Sequence, residues 1–145
     1  MAASAGYSGT PLAKKLGIKD GHVVAIVGAP EGFGDVLAET LPDGVTVRTR
    51  ASGRAHVVLA FFTRRANFVK RLPTLANVMD VDGGIWIAWP KKASGVPTDI
   101  TEDTVREVAL PTGLVDVKVC AIDDTWSGLR LCWRKEVRAA KREGR

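Results

Sequence analysis

The stretch at residues 83–94, Gly-Gly-Ile-Trp-Ile-Ala-Trp-Pro-Lys-Lys-Ala-Ser, constrains the fold more than any other part of the chain. Its apolar core, residues 85–89, carries no charge and is dominated by β-branched and aromatic types, which is typical of a strand covered on both faces. Pro90 cannot donate a ladder hydrogen bond, so strand pairing should weaken there. Lys91 and Lys92 follow directly, and ligands of open α/β sheets bind outside the carboxyl ends of the strands.

Short apolar runs alternate with helix-like patterns along the rest of the chain. The predicted strands are residues 23–27, 45–47, 57–62, 85–89, 114–122 and 129–134. The predicted helices are residues 10–17, 35–41, 63–79 and 101–110. Strand–helix alternation implies a parallel sheet with right-handed crossovers, and the last two strands read as an antiparallel hairpin. The predicted fold is α/β: a three-layer, Rossmann-like, mostly parallel sheet closed by a C-terminal antiparallel hairpin.

Local signals predict how these helices begin and end. Thr10 and Thr63 are expected to cap the first and third helices. Val36 is expected on the inner side of the second helix. Pro73 lies inside the third helical pattern, so a break or kink is expected there. Residues 80–84 should then connect this helix to the central strand.

Composition describes an ordinary globular chain. Its 145 residues, 46% of them hydrophobic, suffice for one domain with a core. No apolar run reaches the roughly 18 residues of a membrane helix, and the start does not resemble a secretory signal, so we expect a cytoplasmic protein without membrane contact. We predict a flexible segment at residues 1–9, an α/β domain at 10–135 and a basic tail at 136–145. Cys120 and Cys132 are expected to be buried free thiols.

The predicted ligand site lies at the carboxyl edge of the sheet. Its candidate residues are Gly28, Ala29, Pro30, Gly32, Arg64, Lys91, Lys92, Ser94, Asp123 and Trp126. Backbone amides and three basic side chains there would suit a small anionic ligand. The alternative is that the two lysines are solvated and paired with Asp99 or with the aspartates of the hairpin turn, which contributes only about 0–1 kcal/mol.

Two of these candidates have structural interpretations of their own. Asp123 suits an Asx hydrogen bond within its turn. Trp126 is expected either to cover the core or to stack on a ligand ring. We predict no catalytic residue and no metal site, since no nucleophile motif, P-loop lysine or metal-ligand spacing is present. His22 and His56 precede strands on the amino side of the sheet, so we expect them to be structural or exposed.

Several motifs together resemble a known family. They are Tyr7-Ser-Gly-Thr-Pro-Leu-Ala-Lys-Lys-Leu-Gly17, Gly28-Ala-Pro30, Trp89-Pro-Lys-Lys-Ala-Ser94, Val96-Pro-Thr-Asp99 and Asp123-Asp-Thr-Trp-Ser127. They are similar to a family of small bacterial proteins known as domain of unknown function 3052. The resemblance covers residues 7–135 and implies no activity.

The strand pattern also resembles a reduced methyltransferase-like fold, with one strand–helix unit missing after Arg50. Such enzymes hold S-adenosylmethionine at a glycine-rich turn after the first strand and at an acidic residue ending the second. The turn at residues 28–34 has three glycines, but Pro30 removes one amide donor. Residues 48–50 contain no carboxylate. The sequence therefore predicts no cofactor, with S-adenosylmethionine as the disfavoured option.

The leading hypothesis is a non-catalytic binding or regulatory domain for an anionic ligand or nucleotide. One alternative is a reduced S-adenosylmethionine-dependent methyltransferase. Another is an interaction module, because six basic and two acidic side chains lie from Arg134 to Arg145. Such a tail would give a weak, salt-sensitive contact with nucleic acid.

Overall fold

The computed structural model describes residues 10–144, so the segment predicted to be flexible, residues 1–9, lies outside the described residues. In this part of the chain six strands form a sheet in the order β2-β1-β3-β4-β6-β5. They are β1 (Val23–Val27), β2 (Thr46–Arg48), β3 (Ala55–Phe61), β4 (Met79–Pro90), β5 (Leu114–Ala121) and β6 (Trp126–Trp133). Neighbours among β1 to β4 are parallel, whereas β6 is antiparallel to β4 and β5. The predicted α/β sheet with a closing hairpin is confirmed.

Helices cover both faces of this sheet. They are α1 (Leu12–Lys15), α2 (Phe33–Ala38), α3 (Arg65–Val78), α4 (Glu102–Ala109) and α5 (Lys135–Glu143). Leu12 of α1 and Phe33 of α2 pack in one hydrophobic cluster with Trp86. Phe68 of α3 packs in a second cluster with Trp89. The two tryptophans of β4 differ by three positions and face opposite layers, as strand geometry requires, and the three-layer architecture is confirmed.

The central strand β4 is longer than predicted because it begins at Met79. Residues 80–84 are part of the strand, which corrects the prediction of a separate connection. A Cβ added at Gly83 would lie 2.4 Å from the His56 carbonyl oxygen, so β3 and β4 approach this closely only because the residue is glycine. The register between the two strands shifts at the same point, as in a β-bulge.

The first two helices also differ from prediction at their starts. Pro11 rather than Thr10 occupies the N-cap of α1. The second helix begins at Phe33, because Gly32 supplies a left-handed N-cap with φ of 83°. Val36 is 46% exposed, so its predicted inward orientation is wrong.

Helix α3 is capped from a distance. Its N-cap is Arg64 and not the predicted Thr63, and no side chain of that segment caps it. Instead the Asp99 carboxylate accepts a hydrogen bond of 2.6 Å from the Arg65 N–H. Pro73 lies inside the helix, which continues past it, so the helix does not break there, and the alternative of a kink stays a prediction. Proline removes one hydrogen bond and crowds the preceding turn, a cost that burial of the inner face of α3 offsets.

The segment predicted as a basic tail forms α5 and contacts the rest of the chain. Lys141 Nζ lies 4.4 Å from the centroid of a Trp133 ring. Arg142 forms an ion pair with Asp82 of β4. Two basic side chains of α5 therefore already have partners within the chain. Contact of this helix with nucleic acid stays a prediction.

The two cysteines lie on the closing hairpin. Both are free thiols, but both are half-buried rather than buried, which corrects the prediction. Burial raises the pKa of the Cys120 thiol, so it reacts less readily as a thiolate than an exposed cysteine. Within residues 10–144, no helix combines the length and the apolar composition required to cross a membrane.

Candidate ligand site at the carboxyl edge of the sheet

The turn between β1 and α2 is shaped by two glycines. Gly28 has a φ of 70°, and a Cβ added there would lie 3.0 Å from the Phe61 carbonyl oxygen. Gly32 has a φ of 83°. Both residues adopt a backbone conformation that other residues rarely take. The glycine-rich turn therefore brings the carboxyl ends of β1 and β3 close together.

The turn between β5 and β6 is held by one carboxylate. Asp123 Oδ1 accepts hydrogen bonds from the Thr125 N–H and the Trp126 N–H, both at 2.8 Å. This is the Asx bonding that the sequence predicts. The Lys91 N–H donates to the Thr125 carbonyl oxygen at 2.8 Å, so the hairpin turn is tied to the end of β4.

Three aromatic rings connect these two turns. Trp126 begins β6 rather than lying in the turn, and its ring meets Phe61 edge-to-face with a centroid distance of 5.0 Å. Phe61 meets Phe33 in the same manner, also at 5.0 Å. The Trp126 ring is only half-buried, so it covers the core on one side and remains accessible on the other.

Between the two turns lies a cavity of about 370 Å³, here called the carboxyl-edge cavity. It is lined by Leu12, Pro30, Glu31, Gly32, Phe33, Val36, Asp123, Thr125 and Trp126. Its volume falls in the range of small-molecule sites. Among the described residues, the lining includes two carboxylates and an aromatic wall but no lysine or arginine.

Four of the ten predicted site residues line this cavity: Pro30, Gly32, Asp123 and Trp126. Gly28 and Ala29 lie in the same turn without lining it. The other four lie in the neighbouring loops after β3 and β4. Sequence reasoning missed Glu31 and Phe33, which lie inside the glycine-rich turn, and Thr125, which lies in the turn before β6. Leu12 and Val36 carry no sequence signal, because only packing brings them to the cavity.

The predicted basic residues do not line the carboxyl-edge cavity. Arg64 and Lys92 are exposed and Lys91 is half-buried. Among residues 10–144 none of the three forms an ion pair, so the alternative of pairing with nearby aspartates is not what the structure adopts. Ser94 closes the short turn after β4, where its Oγ donates to the Lys91 carbonyl oxygen at 2.6 Å.

The carboxyl end of β2 offers no acidic partner. Arg48 folds back on its own loop, where its Nη1 donates to the carbonyl oxygens of Ser52 at 3.1 Å and Arg54 at 3.4 Å. Gly53 makes room for it, since a Cβ there would lie 2.4 Å from the guanidinium. Residues 48–50, where the methyltransferase resemblance implies an acid, contain no carboxylate. The described residues also contain no cluster of three histidine, cysteine or acidic side chains that would hold a metal ion.

Comparison with known proteins agrees with this architecture. A family model described as "Protein of unknown function (DUF3052)" matches residues 13–135. No curated protein matches the sequence at a significant level.

Three solved structures illustrate the likeness. A SAM-dependent methyltransferase from Aquifex aeolicus is 16% identical with a TM-score of 0.63, covering 81% of this chain and 85% of that one. TrmN from Thermus thermophilus is 11% identical with a TM-score of 0.62, covering 85% and 47%, so this chain spans about half of its length. Magnesium protoporphyrin IX methyltransferase from Synechocystis, with bound SAH, is 11% identical with a TM-score of 0.53, covering 79% and 75%. At such identities the likeness shows the fold alone.

Proposed function

The chain belongs to the DUF3052 family of proteins of unknown function, and on that premise we propose that it is a non-catalytic binding domain whose carboxyl-edge cavity holds S-adenosylmethionine or a related adenosyl compound. The observation that carries this proposal is the lining of the cavity. It combines an accessible Trp126 ring with the carboxylates of Glu31 and Asp123 beside the glycine-rich turn. In the methyltransferases that this fold resembles, the turn after the first strand holds the cofactor.

The charge of the cavity favours a cationic ligand. The two carboxylates, which have no lysine or arginine beside them in the described lining, attract a cation and repel a free phosphate. S-Adenosylmethionine carries a sulfonium and an ammonium group, and an aromatic face such as that of Trp126 also attracts cations. The same ring offers a stacking surface for adenine, since stacking of a base on an aromatic side chain contributes about 1–3 kcal/mol.

The cavity supports binding better than catalysis. As far as residues 10–144 form it, its lining contains no histidine, cysteine or lysine, which are side chains that often act as base or nucleophile. One oxygen of Asp123 is already used by two backbone N–H groups. The missing acid at the end of β2 removes one contact to the ribose, so we expect weaker binding than a complete cofactor site gives.

Calorimetry with S-adenosylmethionine, SAH and AMP tests the proposal. We expect S-adenosylmethionine to bind more tightly than SAH, and AMP to bind least, because its phosphate meets the two carboxylates. Trp126→Ala should raise the Kd of both adenosyl compounds about tenfold. Glu31→Gln should weaken the binding of S-adenosylmethionine more than that of SAH. The control is Glu107→Gln, which replaces an exposed acid on α4 and should change the Kd of neither compound. Absence of binding by both adenosyl compounds at millimolar concentration would refute the proposal.

A second candidate function is binding of an anionic ligand or nucleotide at the loops after β3 and β4. It is favoured by Arg64, Lys91 and Lys92, which form no ion pair among the described residues. A thermal-shift panel of nucleotides tests it, because a ligand at 100 times its Kd adds about 2.7 kcal/mol of stability. Lys91→Ala with Lys92→Ala should abolish that shift and change the melting point of the unliganded protein little. A shift that the double variant retains would exclude these lysines.

A further inference from the structure

A larger cavity, of about 470 Å³, opens at the opposite edge of the sheet and is here called the amino-edge cavity. It is lined by Lys14, Lys15, Leu16, Gly17, Lys19, His22, His56, Val57, Asp80, Asp82, Gly83, Lys118 and Arg130. From Gly84 to Pro90, β4 extends about 20 Å at the usual rise per residue. A ligand in one cavity therefore does not reach the other.

Two stacked histidines form part of its wall. The rings of His22 and His56 are 4.4 Å apart and inclined by only 6°. His22 Nδ1 accepts a hydrogen bond from the Lys19 N–H at 3.1 Å, and His56 Nδ1 accepts one from the Val23 N–H at 2.9 Å. A nitrogen that accepts carries no proton, so each neutral ring has its proton on Nε2 and offers it as a donor.

Protonation of His22 is unfavourable. Burial, the neighbouring His56 ring and the Lys19 ammonium all lower the pKa of His22. A second proton on this ring would also break its hydrogen bond from the Lys19 N–H. Because the two rings are stacked, they present adjacent Nε2–H donors.

The rest of the wall is strongly basic. Five cationic side chains line it against two carboxylates. Both carboxylates have other partners: Asp80 accepts the Asp82 N–H at 3.1 Å, and Asp82 pairs with Arg142 of α5. Among the described residues, no ion pair involves Lys19 or Lys118. Lys19 and Lys118 therefore bring positive charge to the cavity that no ion pair among residues 10–144 neutralises.

Glycine makes the position of Arg130 possible. Arg130 lies on β6 opposite Trp86 of β4. A Cβ added at Gly84 would lie 2.6 Å from its Nε and its Nη2. A side chain at that position would displace the guanidinium, so Gly84 leaves the space that this group occupies.

We propose that the amino-edge cavity is a second ligand site, for a small molecule that carries a phosphate group. The two imidazole Nε2–H groups and the Arg130 fork are directional donors, as phosphate oxygens require. The lysines supply the charge that a dianion needs. A ligand with only a carboxylate has fewer oxygens and less charge than a phosphate group, so it would use only some of these donors and cations. The proposal is independent of the function proposed for the carboxyl-edge cavity, which has the opposite charge and lies at the other edge of the sheet.

Calorimetry with pyrophosphate and inorganic phosphate at fixed ionic strength tests this site. Lys19→Gln with Lys118→Gln should raise the Kd of pyrophosphate at least about tenfold, since contacts to charged groups are the strong ones. The matched control is Lys70→Gln with Arg71→Gln, which removes the same charge from exposed positions on α3 and should change the Kd less than about twofold. Equal weakening in both double variants, or no binding by the parent protein at about 10 mM, would overturn the proposal.

A histidine variant and NMR test the donor arrangement separately from the charge. Asparagine at position 56 keeps an acceptor for the Val23 N–H but removes the Nε2–H donor, so His56→Asn should fold and bind pyrophosphate more weakly. Long-range proton–nitrogen spectra should show both rings protonated on Nε2, and both signals should shift when pyrophosphate is added. Protonation on Nδ1, or shifts that sodium chloride reproduces, would contradict the proposal. Binding of S-adenosylmethionine should be the same in all these variants, which separates this result from the function proposed above.

Discussion

Replacement of Trp86 by phenylalanine tests how the first helix is attached to the sheet. Trp86 is fully buried, and its Nε1–H donates to the Leu16 carbonyl oxygen at 3.0 Å. Leu16 is the C-cap of α1, so this bond satisfies one of the carbonyl groups that a helix end leaves free. Trp86→Phe removes ring volume and leaves that buried carbonyl without this donor.

The size of the effect follows from a comparison with Trp89 on the opposite face. Trp89 is 6% exposed, and none of the side-chain hydrogen bonds among residues 10–144 involves its indole nitrogen. Trp89→Phe should therefore cost only the lost packing, about 1–2 kcal/mol. Trp86→Phe should cost about 1–3 kcal/mol more, the penalty for an unsatisfied buried acceptor. Truncation of either residue to alanine should cost about 3–5 kcal/mol, a large part of the about 5–15 kcal/mol that stabilises a domain.

Urea denaturation followed by far-ultraviolet circular dichroism measures this difference without depending on tryptophan fluorescence. The two phenylalanine variants should have the same m value, so that the difference in midpoint reports stability alone. In a domain of this size, each kcal/mol also lowers Tm by about 2–4 °C. Equal losses of stability in the two variants, or a larger loss for Trp89→Phe, would show that the bond to Leu16 does not hold α1 in place.

Three further predictions concern single side chains. Asp99→Ala should lower the free energy of unfolding in urea by about 1 kcal/mol, as loss of an N-cap does. Asp99→Asn should recover most of that loss, because an amide oxygen still accepts a hydrogen bond from the Arg65 N–H. Equal losses in the two variants would mean that this bond does not cap α3. Asp123→Ala should destabilise the closing hairpin by about 1–2 kcal/mol, and Asp123→Asn should destabilise it by much less. If the melting curves of the two variants do not differ, the turn does not need the side-chain oxygen of Asp123 as an acceptor. Burial and nearby charge lower the pKa of His22 in the folded state, so the unfolded chain takes up a proton at this residue first as the pH falls. The free energy of unfolding should therefore fall as the pH drops through about 6.5. His22→Asn should reduce that loss, and an unchanged pH profile would exclude His22 as its source.

Patterns within a few residues were enough to predict the mostly parallel sheet and its closing hairpin. The uncharged run at residues 85–89 indicates a strand covered on both faces, and Trp86 and Trp89 do lie in opposite layers. Strand–helix alternation and the polar turn before β6 predict the parallel sheet and the closing hairpin. These features follow from strand periodicity and from the need to bury apolar side chains, which neighbouring residues along the chain already define.

The boundaries of α1, α2 and α3 and more than half of the lining of the carboxyl-edge cavity were decided only by the tertiary structure. The cap of α3 comes from Asp99, 34 residues away, and packing against the core keeps that helix continuous through Pro73. The carboxyl-edge cavity is acidic because its lining comes from α1, the glycine-rich turn and the hairpin rather than from the basic loops beside it. At the other edge, His22 and His56 stack only because parallel strands bring their amino ends together. Contacts between residues far apart in sequence depend on the register and packing of the whole sheet, which local patterns do not specify.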